Sequence, residues 1–331
     1  MKIYFFLFLT ILLWGCNDNN DTSSPFDEIL SQPPYASLTD SIRKEPVRDD
    51  LYFRRAILLN KNNFPEPALV DFRKAWSLAK EESYAVGVSN ILLEKKPDSA
   101  IDFLKEAIKE IPASLFLLIS LARSYDALGK TDEALAVCNN MLEKEPGQVN
   151  ALLLKADLLE KKGDSPGMIS SLEKAYSLVP FNREISHKLA YQYAESKNVK
   201  AIAIADSLIS EDSLNIHAEP YYIKGMFYSN INDKPRAIQL FDATIKRDHR
   251  FLNAYLEKGK ILFDQKKINE ALKTFQLANT ITPSFPDAWY WIARCQETLG
   301  DKEEAKQNYE KAYELDNTFT EAKEAAEKIT N

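Results

Sequence analysis

Between residues 218 and 319 the same kinds of side chain return every 34 residues. Gly225, Gly259 and Ala293 form one column, and Ala237, Ala271 and Ala305 a second. Phe241, Phe275 and Tyr309 form a third, and Thr244, Ala278 and Ala312 a fourth. Four independent columns that keep one period over three copies mark a stacked repeat array. Carried back along the chain, the columns place unit starts near 49, 81, 115, 149, 183, 218, 252 and 286. The first step is 32 and the one from 183 to 218 is 35, so the first, second and fifth units drift from the period. In the fifth, Leu189, Ala190 and Tyr193 fit their columns, whereas Ala201, Ala205 and Leu208 arrive a residue early. A local change of pitch is expected there. Outside the array, Leu38 and Ile42 stand at helical spacing ahead of Pro46, which predicts a lone helix within residues 35–48. Residues 320–331 carry a thin apolar stripe (Ala322, Ala325, Ala326, Ile329) among Lys and Glu. That is the pattern of a capping helix that solvates an open end.

The units resemble tetratricopeptide repeats. The eighth reads Trp289, Ile292-Ala293, Gln296, Gly300, Ala305, Tyr309 and Ala312. The seventh reads Tyr255, Lys258-Gly259, Leu262, Ala271, Phe275, Ala278 and Pro283. The third and fourth keep Leu121-Ala122 and Lys155-Ala156, the turn residues Gly129 and Gly163, and the closing Pro146 and Pro180. The resemblance spans about residues 49–319. It implies an all-α fold, a right-handed superhelix (α-solenoid) of about eight helix-turn-helix repeats with capping helices. Helix A and helix B of a unit would approach most closely at the small residue of A and the Ala of B. A larger side chain there forces the pair apart at a cost of about 1–3 kcal/mol. The aromatic of helix B fills the gap to the next unit, and its burial contributes about 1.5–3 kcal/mol. Glycine closes helix A in a left-handed conformation, and proline stops helix B.

Composition fits this picture and narrows the function. The chain is 45% hydrophobic and 27% charged, with only nine glycines, which is ordinary for a folded, helix-rich protein. The net charge of −7 argues against duplex nucleic acid, which needs a basic face. Lys2 and the apolar residues 3–14 have the form of a secretory signal. Leu13-Trp14-Gly15-Cys16 resembles the lipobox of bacterial lipoproteins, and a polar run follows it. That resemblance implies a signal peptide over residues 1–15, a lipidated Cys16, and a flexible tether over residues 16–34. Multiple acyl chains, at about 0.8 kcal/mol per buried CH₂, anchor stably. The expected location is the cell envelope: lipid-anchored to a bacterial membrane, most simply the outer membrane, facing the periplasm or the cell surface.

Little in the sequence carries chemistry. His187, His217 and His249 are not at metal spacing, and no H-E-x-x-H or C-x-x-C motif occurs. Cys138 stands in the buried aromatic column of helix B. Cys295 lies five repeats away, so no disulfide between them is expected. There is no glycine-rich phosphate loop and no local nucleophile–base set. No enzyme activity, cofactor or metal is expected.

What remains is surface. In tetratricopeptide arrays the second, fifth, ninth and twelfth positions of helix A line an inner groove. The resemblance thus implies a peptide-binding groove built on Ile119, Leu153, His187, Tyr222, Leu256 and Tyr290 at the fifth position. Arg123, Asp157, Tyr191, Met226, Lys260 and Arg294 occupy the ninth, and Asp126 and Glu160 the twelfth. Asp126, Asp157 and Glu160 make one end acidic, whereas Lys260 and Arg294 make the other basic. The Lys and Asn pair with which some arrays of this class bind a terminal carboxylate is absent from the matching positions. The expected role is a scaffold or adaptor that holds a protein or peptide segment in the groove, in assembly or regulation of an envelope complex. The alternative is a structural component that self-assembles into oligomers.

Overall fold

The computed structural model describes residues 25–330. Among these are nineteen α-helices and no strand, arranged as a tetratricopeptide helix-turn-helix array. The chain divides into two compact units, Met1–Leu128 and Gly129–Asn331. The division falls at the A–B turn of the third repeat.

In the first unit, α1 (Asp27–Leu30) and α2 (Ala36–Lys44) precede two helix pairs. These are α3 (Asp49–Lys61) with α4 (Pro65–Leu78), and α5 (Glu82–Lys95) with α6 (Pro97–Glu110). The unit ends on α7 (Leu115–Ala127), helix A of the third repeat. The tether expected over residues 16–34 is therefore already folded at α1. Leu30 and Tyr35 are buried, and the Thr39 hydroxyl donates to the Leu30 carbonyl at 2.7 Å. Burial of these apolar side chains overrides the polar composition of the stretch. Cys16 and the signal-like segment lie outside the described residues.

The second unit opens with α8 (Thr131–Lys144), followed by α9 (Val149–Lys161) with α10 (Ser165–Leu178) and α11 (Arg183–Glu195) with α12 (Lys200–Glu211). Next come α13 (Glu219–Asn230) with α14 (Lys234–Arg247), and α15 (Leu252–Asp264) with α16 (Ile268–Ile281). It closes with α17 (Pro286–Leu299), α18 (Lys302–Leu315) and α19 (Thr320–Thr330).

Local chemistry starts and stops these helices. Pro65, Pro97 and Pro286 sit at the first helical residue, where a missing N–H costs nothing. Ser114, Asn182, Asp164 and Asp233 accept a backbone N–H as N-caps. The A–B turns share one device. Gly129, Gly163 and Gly300 adopt positive φ, and so do Asn63, Lys197, Asn232 and Lys266. The left-handed turn residue is thus a property of the repeat, filled by Asn or Lys where glycine is missing. The second repeat alone lacks it, because Lys96 is the whole connection between α5 and α6.

The sequence columns are the core. Ala237, Ala271 and Ala305 are completely buried, as are Phe241, Phe275 and Tyr309. Gly225 and Gly259 lie flat against those rings: a Cβ would stand 2.7 Å from Phe241 and 2.4 Å from Phe275. The leading aromatic of helix A has a polar task as well. Tyr52, Tyr255 and Trp289 each donate to a carbonyl six residues back, on Pro46, His249 and Pro283. These bonds pin the linker between repeats to the helix that follows.

Candidate functional site

The fifth-position aromatics pack rather than wait for a ligand. Phe53 lies against Phe72 of its own repeat and Tyr84 of the next, with ring centroids 5.8 and 4.8 Å apart. Tyr222 does the same with Phe241 and Phe251, at 5.7 and 4.9 Å. Tyr290 repeats it with Tyr309 and Phe319, at 5.4 and 4.9 Å. These triplets are offset ring contacts that join successive repeats. Tyr222 and Leu256 are only 8% exposed, so both are largely taken up by core packing, although Tyr222 still lines the cleft described below. The physical reason is that the next repeat supplies an aromatic that closes over them. Leu153 and Met226 are half-buried and both pack on the core cluster around Leu189 and Tyr193, and Met226 also packs on the cluster of Tyr222. Ile119, Arg123 and Asp126 all lie on α7, where Arg123 is exposed and the other two half-buried.

The expected basic end is largely spent within the protein. Lys260 is paired with Glu257 at 2.9 Å. The Arg294 guanidinium sits 5.4 Å from the ring centroids of both Phe263 and Trp291 and receives Tyr290 as a hydrogen-bond partner at 3.3 Å. It fills its own aromatic cage.

The remaining expected groove residues come together. Asp157, His187, Tyr191 and Tyr222 line one cleft of about 440 Å³ with Glu160, Lys188, Gln192, Glu219 and Phe251. Helices α9, α11 and α13 supply the walls, and Met168 and Leu172 of α10 with Ala156 and Ile223 make an apolar floor. Within this cleft Asp157 pairs with Lys188 at 3.2 Å, and Lys188 also reaches Glu184 at 3.8 Å. Gln192 donates to Glu160 at 3.4 Å. Tyr191 is 38% exposed. Burial and then the charge of Glu195 raise its hydroxyl above the usual tyrosine range. Burial likewise raises Tyr222, with Glu257 adding to the effect. Both phenols stay neutral near pH 7. The imidazole of His187 is pushed below the usual histidine range by burial and by the Arg183 charge. Its Nε2 is buried with no protein partner, as is Nη2 of Arg183.

Lys188, Gln192 and Phe251 escaped the groove columns, whereas Glu219 stands at the second position of its unit and so within them. Gln192 and Lys188 flank the fifth and ninth positions of α11, and Glu219 and Phe251 sit at repeat junctions. Their positions depend on the connection before α13, which runs over residues 212–218. It is seven residues long, against four at 248–251 and 282–285. In line with this, α11 packs directly on α13 and more extensively than α13 does on α15. The only sequence signal for this was the 35-residue step.

A second hollow, lined by Glu173, Tyr193, Lys200 and Ile204 of α10 to α12, is larger at about 670 Å³. Its polar groups satisfy each other, since Tyr193 donates to Glu173 and Lys200 meets the same carboxylate at 3.3 Å. Among the described residues no three His, Cys, Asp or Glu side chains are grouped to hold a metal ion. Burial raises the thiols of Cys138 and Cys295 to about 11 and about 12, so neither is a ready nucleophile.

Comparison with known proteins agrees with the fold. Family models described as tetratricopeptide repeat match residues 92–158, 228–284 and 286–319. The chain is a tetratricopeptide-repeat protein. It is similar to tetratricopeptide repeat protein 21A of Mus musculus, at 22% identity over 68% of this chain and 17% of that protein. It is also similar to the Hsp70-Hsp90 organizing protein of Triticum aestivum, at 24% identity over 69% of this chain and 34% of that protein. The chain thus spans about a third or less of the length of these curated relatives. A crystal structure of a tetratricopeptide repeat protein from Parabacteroides merdae superposes with a TM-score of 0.61. It is 17% identical and covers 75% of this chain and 98% of that one, a likeness of fold.

Proposed function

We propose that this chain is a lipid-anchored envelope scaffold whose second unit holds a segment of a protein partner in the α9–α11–α13 cleft. Tetratricopeptide arrays serve protein–protein interaction, and in this reading the cleft is where the partner segment binds. The observation that carries the reading is the combination of an apolar floor with a rim whose polar groups are only partly matched, since among the described residues Glu160 meets just the Gln192 amide, Glu219 makes no ion pair and Nε2 of His187 has no protein partner. Elsewhere in the second unit, at Lys260, Arg294 and Lys200, the polar side chains are matched by their neighbours. A ligand pocket needs this combination: apolar area for affinity and a few polar groups for orientation. Anchoring rests on the signal-like residues 2–16 and Cys16. Among the described residues no helix is long and apolar enough to cross a membrane.

Two measurements test it. A photo-crosslinking amino acid at Tyr191, used in cells, should capture a discrete partner from the envelope, and the same probe on the exposed side of α18 should not. Equal capture from both positions moves the site off the cleft. Cys16→Ala should abolish lipid labelling and membrane association together, and retention of both removes the lipoprotein reading.

A further inference from the structure

We infer that the α9–α11–α13 cleft receives a cationic side chain, arginine in particular, from a peptide with apolar neighbours. This rests on the peptide-holding role proposed above and names the chemistry of its ligand.

Charge is the first ground. Three carboxylates line the cleft, on Asp157, Glu160 and Glu219, against one ammonium, on Lys188; outside the lining, the Arg183 guanidinium acts on His187, and the carboxylates still outnumber the cations. That ammonium is already shared between Asp157 and Glu184. Glu160 has only the neutral amide of Gln192 at 3.4 Å. Glu219 is exposed and makes no ion pair among the described residues. Glu195 adds further negative charge near Tyr191 and Tyr222. A carboxylate or phosphate would be repelled here. A wholly apolar ligand would strip water from Glu160 and Glu219 and give nothing back. A cation with an apolar stem answers both needs, because the stem covers the floor while the head reaches the rim.

Geometry narrows the cation. The carboxylates are too dispersed to close on a metal ion, so they suit a head group that contacts them separately. A guanidinium offers five donors in a plane and stacks on aromatic faces, which an ammonium does less well. The chain already uses this pairing within itself: the guanidinium carbons of Arg247 and Arg236 lie 3.5 and 4.2 Å from the ring centroids of Tyr221 and Tyr228. In the cleft, Tyr191 provides an open ring, and neutral His187 adds no opposing charge. A volume of about 440 Å³ falls within the about 300–1,000 Å³ of ligand pockets. It has room for the neighbouring residues of the peptide, whose apolar side chains meet Met168 and Leu172.

Position supports the same conclusion. Residues 159–227, which contain α11 and most of the cleft, lie between the stretches matched by the family models. The seven-residue connection before α13 is in that interval.

The test is selection of a random dodecapeptide library on the immobilised full chain, followed by anisotropy titration of the enriched peptide. Enriched sequences should carry arginine beside apolar residues. Replacing that arginine by citrulline should weaken binding at least about tenfold. Glu160→Gln with Glu219→Gln should weaken the arginine peptide by a similar factor and leave the citrulline peptide unchanged. Affinity for the arginine peptide should fall as salt is raised. If enriched peptides are acidic or neutral and are lost on Tyr191→Ala, the arginine assignment is overturned while the peptide-holding role stands. If nothing is enriched, or if binding ignores Tyr191→Ala, both are overturned. Unchanged melting of each variant ensures that the readout is binding.

Discussion

Arg55 and Asp71 are 6% and 3% exposed, so a full ion pair is buried between α3 and α4. The Arg55 fork donates Nε and Nη2 to the two carboxylate oxygens of Asp71 at 2.7 and 2.8 Å. Its Nη1 donates to the Thr39 hydroxyl at 2.9 Å, and that hydroxyl donates onward to the Leu30 carbonyl. One chain of hydrogen bonds thus fastens α1 and α2 to the first repeat. Asp71→Ala removes both acceptors and leaves a guanidinium with no counter-charge, which costs about 3–5 kcal/mol. Replacing both partners, Arg55→Met with Asp71→Leu, avoids the desolvation of two ions. It should cost much less than the single change, and such exchanges range from neutral to about 1–4 kcal/mol stabilising. Because repeats interact mainly with their neighbours, the loss should be local. Hydrogen exchange should show reduced protection across α1 to α4 in Asp71→Ala, with α13 to α18 unchanged. Wild-type melting of Asp71→Ala would refute the reasoning. That outcome would mean that water already solvates the pair, and a double variant as unstable as the single one would refute it too, since the cost would then not come from an uncompensated buried charge.

Other perturbations read other parts of the fold. Lys197 and Lys266 have φ of 59° and 63°, so Lys197→Gly and Lys266→Gly should each gain about 0.5–1 kcal/mol in denaturant titration, as relief of left-handed strain exceeds the entropy of glycine; a loss of stability would show the turns to be unstrained. Gly259→Ala should lose about 1–3 kcal/mol by overpacking Phe275, and Phe275→Leu in the same chain should recover part of it; a gain in the single variant would mean that helix propensity outweighs the close approach. The folded-state depression of His187 arises from burial and the nearby Arg183 and His217, with Glu219 opposing it. Its contribution to stability is therefore present above the unfolded value of about 6.5 and is lost as pH falls below it. His187→Gln should lose less melting temperature than wild type between pH 7 and pH 5, and parallel curves would refute the depression.

Much of the architecture was legible in the spacing of a few residue types. Ala271, Phe275 and Ala278 keep their period because two helices and a neighbouring repeat meet at those points, and nothing larger or smaller fills them. The turns were read only in part. Gly129, Gly163 and Gly300 revealed the left-handed position, but Lys197 and Lys266 hold the same conformation with residues that give no local signal. The groove was less legible still. The helical face of Tyr222, Leu256 and Tyr290 followed from the repeat, whereas their neighbours did not. Phe251 and Phe319 close over Tyr222 and Tyr290, and both come from the linker ahead of the following helix.

The sequence by itself thus determined the repeat, the helix pairs and the packing columns, because short-range periodicity reports which side chains are buried within and between adjacent helices. Only the tertiary structure decided which groove surface is open. Whether a side chain at a groove position is covered depends on the length of the next linker and on what that linker carries. A seven-residue connection precedes α13, α11 and α13 pack directly, and Asp157, Glu160, His187, Tyr191 and Glu219 gather there around one apolar floor.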